Sequence, residues 1–434
     1  LVEKDKLGGV CLNIGCIPTK ALLRNAEILT LFRKASEFGI HVEGLKADFG
    51  AAIMRSRRVA QRLSKGVEFL MKKNNVTVFA GEGRLLAPGK VGVVSDGRDV
   101  AEIESERVLL ATGSRPKMIP GLTADGERVL TSDDALVLQE APRSITIIGA
   151  GAVGVEFADI FHAYGVEVTV IEMLPRILPF EDAEISELLA KAFAKQGIKV
   201  FAGTKVEEVK VGSDTVILKV LRDGKPEEVR AEAVLVAVGR APNTEGIGLE
   251  GVGVALDRGG FIQVDERLRT AVPTIFAIGD CIGAPLLAHK AMHEGVLAVE
   301  GMAGHEVRRP DPKQVPSCTY CHPQVASIGL TEAEAKERGL KIRVGRFPYQ
   351  ASGLAQAIAE TEGLVKVIAD EGTGEILGVH IIGQNATELI PEAGLAMLLE
   401  ATPEELARVM HPHPTLSETL GEAALATLGR ALHI

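Results

Sequence analysis

An apolar strand running into a glycine-spaced turn restricts this chain to few folds. Ser144–Ile148 reads as a buried strand and leads into Gly149-Ala150-Gly151-Ala152-Val153-Gly154. A helical pattern follows to Tyr164, then a second strand, Glu167–Ile171, that ends in Glu172. This is the strand–turn–helix–strand context of a dinucleotide fingerprint. Gly149 allows the tight turn, Gly151 lets the backbone approach a pyrophosphate, and Gly154 packs helix against strand. The helix N-terminus then faces the phosphates. Glu172, 23 positions after Gly149, suits a ribose 2′-hydroxyl and repels a 2′-phosphate. NAD is therefore favoured over NADP, although Arg176 lies close by.

The chain contains an echo of this unit. Val108–Pro116, with Ala111-Thr112-Gly113, parallels Val234–Pro242, with Gly239; each is an apolar strand ending in Gly, Arg and Pro. Leu1-Val2-Glu3 likewise parallels Val170-Ile171-Glu172. Two nucleotide-binding halves are expected, with Glu3 as the ribose acid of the first. A surface role for Glu3 is the alternative. Aligning Glu3 with Glu172 puts the first glycine of that half before residue 1, so roughly 30 residues of a first βαβ unit are expected to be missing. A third strand, Thr274–Ile278, ends in Gly279-Asp280. Asp280 is read either as a ligand-facing acid at the carboxyl end of a sheet or as a solvent-facing turn residue.

Near the start stands Gly8-Gly9-Val10-Cys11-Leu12-Asn13-Ile14-Gly15-Cys16-Ile17-Pro18. Pro18 fits the first turn of a helix. A thiol at such a terminus meets unpaired N–H groups and the positive end of the dipole, which lower its pKa. A redox pair Cys11–Cys16 is favoured. Two small buried residues, or half of a metal site, fit the same spacing; a metal site would need a second Cys/His pair at suitable spacing. Five cysteines in 434 residues make no disulfide framework and suit a reducing, cytoplasmic setting. Cys318-x-x-Cys321-His322 matches a haem-attachment pattern. It falls in a strand–turn–strand pattern and is discounted. Cys281 reads as a buried apolar residue.

With 46% apolar and 24% charged residues, composition is that of a globular protein of several domains. A net charge of −10 disfavours nucleic-acid and anionic-membrane partners. No apolar run has the length of a membrane span, and no signal peptide opens the sequence. Near the C-terminus, His411-Pro412-His413-Pro414 precedes Thr415-Leu416-Ser417-Glu418. His413 suits a general base and Glu418 could orient it; an exposed His-rich turn is the alternative.

Together the cysteine segment with Lys20, the fingerprint with Glu156, Ala111-Thr112-Gly113, Ile278-Gly279-Asp280 and the His413–Glu418 segment resemble the pyridine nucleotide–disulfide oxidoreductase family. The resemblance runs from Leu1 to Ile434 and is nearest to members that oxidise dihydrolipoamide. It implies an α/β architecture of two Rossmann-like domains, for FAD and NAD, plus a C-terminal α+β dimerisation domain. The expected boundaries are 1–114 (FAD), 115–243 (NAD), 244–312 (central, completing the FAD site through Asp280 and Ala288-His289) and 313–434 (interface).

The resemblance also implies roles. Cys11 meets the substrate and Cys16 faces the flavin. Lys20, paired with Glu156, tunes the flavin; without the family, a surface lysine and a helix-face carboxylate would be preferred. His413 and Glu418 serve the other subunit of an obligate homodimer. Glu3, Gly8, Gly9, Lys20, Ala111–Gly113, Asp280 and Ala288 are expected around the flavin. Gly149, Gly151, Gly154, Glu172 and Gly239 are expected around NAD, and no metal is expected. The substrate would be dihydrolipoamide on the lipoyl domain of an acyltransferase, in a 2-oxo acid dehydrogenase or glycine cleavage complex. A glutathione- or mercury-type reductase, or a flavin-free scaffold, are the rival readings.

Overall fold

The computed structural model describes residues 1–434. The chain divides into two compact units. One comprises residues 1–21, 51–117 and 239–312, the other residues 22–50, 118–238 and 313–434.

The second unit is built on a parallel sheet in the order Lys199–Phe201, Glu167–Ile171, Ser144–Ile148, Ala233–Val236, Val129–Leu130. The fingerprint strand lies at its centre, with Ile145, Ile147 and Ile148 buried. Both faces of a parallel sheet are covered, so such strands carry unbroken apolar runs. The Ala152–Ala163 helix buries Val155, Phe157, Ile160 and Phe161. A three-stranded antiparallel meander, Thr204–Val211, Val216–Arg222 and Lys225–Ala231, follows. Its middle strand lays Val216, Leu218 and Val220, alternate residues on one face, against Ile148, Ile171, Val234 and Val236.

The same unit holds a five-stranded antiparallel sheet, in the order Ser317–Thr319, Gln324–Gly329, Ile376–Gly383, Leu364–Asp370, Ile342–Pro348. Helices Ala386–Leu398 and Glu418–Thr427 pack on it through Ile390, Ala393, Leu420 and Ala424. A buried ion cluster joins this sheet to the Ala183–Gln196 helix. Lys366 Nζ, on a side chain only 2% exposed, lies 2.8 Å from Asp182, 2.8 Å from Glu332 and 3.1 Å from Glu184. Asp182 also caps the helix by accepting the Glu184 N–H.

The first unit contains two short parallel pairs, Val2–Glu3 with Phe79–Ala80 and Val108–Leu110 with Ile275–Ala277. A meander, Glu82–Ala87, Lys90–Ser95 and Arg98–Glu104, accompanies them. Leu85, Leu110, Ile247, Ile262, Ile275 and Cys281 form its apolar centre. The two echoing segments meet here, because Ser114–Pro116 pairs antiparallel with Arg240–Pro242. The apolar period over residues 49–73 predicts a helix, and a helix spans Phe49–Lys73. No helix is long and apolar enough to cross a membrane.

Removing one partner of a buried ion pair leaves the other charge unpaired. Lys366→Met is therefore expected to destabilise the protein by about 3–5 kcal/mol. Lys336 and Lys366 hold the Glu332 carboxyl down from its ordinary 4.5 to about 2. A depressed folded-state pKa contributes stability that is present above the unfolded value and lost as pH falls through the folded one. Denaturant unfolding between pH 7 and pH 2 should show the Lys366→Met variant losing less stability on acidification than its parent. Equal slopes would contradict the role given to this cluster.

Candidate functional site

Cys11 lies inside a short helix, Gly9–Ile14, and Cys16 opens the next, Cys16–Arg33. Pro18 sits in that helix's first turn, as expected. Gly15 joins the two helices, and a Cβ there would lie 2.9 Å from the Val10 carbonyl oxygen. The loop is braced by residues that the sequence did not single out. Asn13 is buried and donates to the carbonyls of Leu7 (3.1 Å) and Gly9 (3.0 Å). Arg57 donates to the Asn13 carbonyl and Ser64 to that of Leu7. Both cysteines are half-buried thiols.

A lowered pKa is expected of a thiol at a helix N-terminus, the place Cys16 occupies; Cys11, inside the preceding helix, is shifted the other way. Its hydrogen bond with Cys16, burial and the neighbouring sulfur's charge all push it up, and only Lys20 opposes them. Two sulfurs this close share one negative charge before they carry two.

Gly149 (φ +101) turns where a Cβ would meet the Ala237 carbonyl oxygen at 2.4 Å, and a Cβ on Gly154 would meet the Gly149 oxygen at 1.9 Å. Gly151, the N-cap of the fingerprint helix, faces open space and carries no side-chain cap. The helix end is thus open to an anionic group, as a dinucleotide pyrophosphate requires. Glu172 is buried and accepts the N–H groups of Ala150 and Leu174, each at 2.8 Å. The acid expected to meet a ribose therefore also pins the glycine turn. Glu156, one turn into the helix, is buried and accepts the Tyr320 N–H at 2.9 Å. Asp159 accepts the His322 N–H, and burial, aided by the Glu156 charge, lifts its carboxyl to about 7. Gly239 (φ +118) begins the return to the other unit's Arg240–Pro242 strand. Cys318 packs on the apolar centre of the antiparallel sheet, and Cys321 is buried with Sγ 3.3 Å from the Pro323 carbonyl oxygen.

In the first unit a cavity of 660 Å³ is lined by Glu3, Gly81, Leu110, Thr112, Asn243 and Glu245, among others. It runs along the edges of the Val2–Glu3 and Val108–Leu110 strands, each of which pairs with one strand only. Its size suits a large ligand. Gly8 (φ +96) and Gly9 (φ +58) adopt left-handed backbone ahead of the cysteines. Asn243 bonds the carbonyls of Thr112 (3.0 Å) and Gly113 (2.9 Å), which fixes the Ala111–Gly113 segment.

Asp280 follows the Ile275–Ala277 strand and is not a free turn residue. Its carboxylate accepts the Ser114 hydroxyl and lies 3.8 Å from Arg240 Nε. Arg240 in turn donates to the Ser114 hydroxyl (2.7 Å) and carbonyl (2.8 Å). Ser114 and Arg240 were missed in the sequence because this pairing spans 126 positions. Ala288 is the first residue of the Ala288–Met302 helix.

His413 Nδ1 lies 2.9 Å from Glu418 Oε1, and Glu418 Oε2 accepts the Thr415 N–H at 2.8 Å. Burial would raise the Glu418 carboxyl, but the Thr415 N–H and His413 outweigh it and hold it below the usual range. The His413 side chain is 77% exposed, so the ring is oriented from behind and open outward. A cavity of 480 Å³ beside it is lined by His411, His413, Glu418 and Glu422. His411 has its own acid, Glu392, at 2.7 Å. No group of three or more His, Cys, Asp or Glu side chains is placed to hold a metal ion.

The contact between Gly154 and Gly149 leaves no room for a methyl group. Gly154→Ala is expected to destabilise the protein by about 1–3 kcal/mol, the usual range for overpacking. Thermal unfolding indistinguishable from the parent's would contradict the contact.

Two family models match the chain. "Pyridine nucleotide-disulphide oxidoreductase" matches residues 1–295, and the dimerisation domain of the same name matches residues 315–424. Curated relatives include a dihydrolipoyl dehydrogenase of Bacillus subtilis, 46% identical over 100% of this chain and 93% of its own length. One of Mycobacterium leprae is 42% identical over the same shares. Among solved structures, LpdA from Mycobacterium tuberculosis superposes with a TM-score of 0.90 at 29% identity, covering 98% of this chain and 92% of its own. The HOCl-induced flavoprotein disulfide reductase RclA from Escherichia coli gives 0.87 at 28% identity, with the same coverage. With its glycine fingerprint, its dithiol loop and a dimerisation domain in one chain, this protein belongs to the pyridine nucleotide–disulphide oxidoreductase family.

Proposed function

We propose that this chain oxidises protein-bound dihydrolipoamide to lipoamide, with NAD⁺ as final acceptor. The observation that carries this reading is full-length similarity to dihydrolipoyl dehydrogenases in a chain whose Cys11 and Cys16 stand within hydrogen-bonding reach. We read the domains as 1–114 with 244–312 for the flavin, 115–243 for the nicotinamide and 313–434 for dimerisation. The lipoyl domain of an acyltransferase delivers the substrate in the cytoplasm, and a homodimer is the working unit.

The residues present suit both cofactors. Gly149, Gly151, Gly154 and Gly239 would admit NAD, with Glu172 selecting against a 2′-phosphate. Glu3, Gly8, Gly9, Ala111–Gly113, Asp280 and Ala288 would hold FAD. When bound, the flavin takes two electrons from a dithiol and passes them as hydride to NAD⁺.

The chain's own groups handle sulfur and protons. His413 removes the proton from a substrate thiol, and Glu418 holds the ring in place and stabilises its charged form. The substrate thiolate attacks Cys11 of an oxidised Cys11–Cys16 pair. A new sulfur–sulfur bond forms at Cys11, the Cys11–Cys16 bond breaks, and Cys16 leaves as a thiolate. The second substrate thiol then attacks the first substrate sulfur, which releases the cyclic disulfide; its proton passes to Cys11, which leaves as a thiol, so the pair carries its one negative charge on Cys16. His413 on one subunit serves the cysteines of the other, in keeping with a ring so open to the outside. Lys20 sits near the pair, where its charge favours the anionic sulfur. Lys20 and Glu156 tune the flavin.

Two outcomes test the reading. Anaerobic addition of dihydrolipoamide should produce a long-wavelength thiolate–flavin absorption that Cys16→Ser abolishes and Cys11→Ser retains. A Cys16→Ser protein that keeps the band sinks the assignment. His413→Gln should slow dihydrolipoamide oxidation by roughly 10²–10⁴-fold, the range for a lost general base. Reduction of an artificial acceptor by NADH should stay near the parent rate, and equal loss in both assays would argue against His413 as the base.

A further inference from the structure

The turn that carries Asp280 is held from its inner side by a buried charged cluster on the Ala288–Met302 helix. Lys290 and Glu294 have side chains only 3% and 1% exposed. Burying an ammonium and a carboxylate costs several kcal/mol each, so such a pair needs close polar partners. Here those partners are backbone groups of the turn. Glu294 Oε2 accepts the Gly279 N–H at 2.8 Å. Lys290 Nζ donates to the Gly279 carbonyl at 3.2 Å and to the Gly283 carbonyl at 2.9 Å. Arg309 Nε, 3.1 Å from Glu294 Oε1, and Lys290 Nζ, 3.4 Å from it, supply opposite charge.

Both ends of the Gly279–Gly283 turn are thereby tied to one helix. Gly279 needs this support, because it sits at φ +75 and its groups pair with neither neighbouring strand. On its outer side the turn presents the Asp280 carboxylate to Ser114 and Arg240. The helix cluster fixes the backbone, and the Ser114–Arg240 pair fixes the side chain.

We propose that Glu294 and Lys290 are positioning residues of the flavin site, acting through the turn to set where the Asp280 carboxylate stands. This rests on the flavin reading given above. Both side chains are buried on the inner side of the turn and act through its backbone.

The test uses the purified full-length protein and measures flavin affinity by the fluorescence of released FAD, together with the flavin midpoint potential. Glu294→Ala should weaken FAD binding by about tenfold or more, the scale of a lost buried charge-assisted hydrogen bond. Glu294→Gln keeps an acceptor for the Gly279 N–H and should recover much of that loss. Asp280→Asn alone should weaken binding, and Glu294→Ala added to it should cost less than about twofold more, because two residues acting through one contact are not additive. If Glu294→Ala does not fold, Lys290→Met carries the same comparison against Asp280→Asn. FAD affinity and potential unchanged in the Glu294 and Lys290 variants would overturn the proposal, as would effects that multiply with Asp280→Asn. A parent protein that binds no FAD overturns the function itself, so the two failures are distinguishable.

Discussion

The contact between Gly154 and the Gly149 carbonyl organises the nucleotide half of this protein. A methyl group at Gly154 would sit 1.9 Å from that oxygen, so helix and strand approach as closely as backbone allows. That approach directs the helix N-terminus to the carboxyl end of the central strand, where open α/β sheets bind ligands. Glu172 reinforces it by accepting the Ala150 N–H inside the turn. The same acid that faces a ribose in a dinucleotide site is here part of the scaffold. Replacing Glu172 therefore also loosens the turn.

The Cys11–Cys16 loop and the His413–Glu418 pair are built on a different principle, namely support from behind. Asn13, Arg57 and Ser64 hold backbone carbonyls of the loop around Cys11 and Cys16. Glu418 likewise holds the His413 ring, and its second oxygen is occupied by the Thr415 N–H. Pre-organisation of this kind removes conformational freedom before a substrate arrives. The outer face of the His413 imidazole stays open to the outside.

Much of this was legible in the sequence, and the rest was hidden for identifiable reasons. Strands such as Ser144–Ile148 and the long helix Phe49–Lys73 announce themselves through apolar runs or period, which are local signals. The likeness of Val108–Pro116 to Val234–Pro242 was visible, but not that Ser114–Pro116 and Arg240–Pro242 would pair with one another. Ser114, Arg240, Lys290 and Glu294 were unreadable because their work is tertiary. Each gains meaning only when a distant turn is folded beside it. Spacing shows a helix start but not that the two sulfurs lie side by side, which is what pushes the Cys11 thiol up. Asp280 was ambiguous until its hydroxyl and guanidinium partners were in place.

The central claim is that a dithiol and a flavin work in series within one chain. Anaerobic reductive titration with dithionite counts the electrons each subunit accepts. A disulfide and a flavin each take an electron pair. The account predicts that the oxidised parent protein consumes twice the reductant of a Cys11→Ser variant, which retains the flavin alone. Equal consumption by the two proteins would show that Cys11 and Cys16 form no redox pair and would contradict the account.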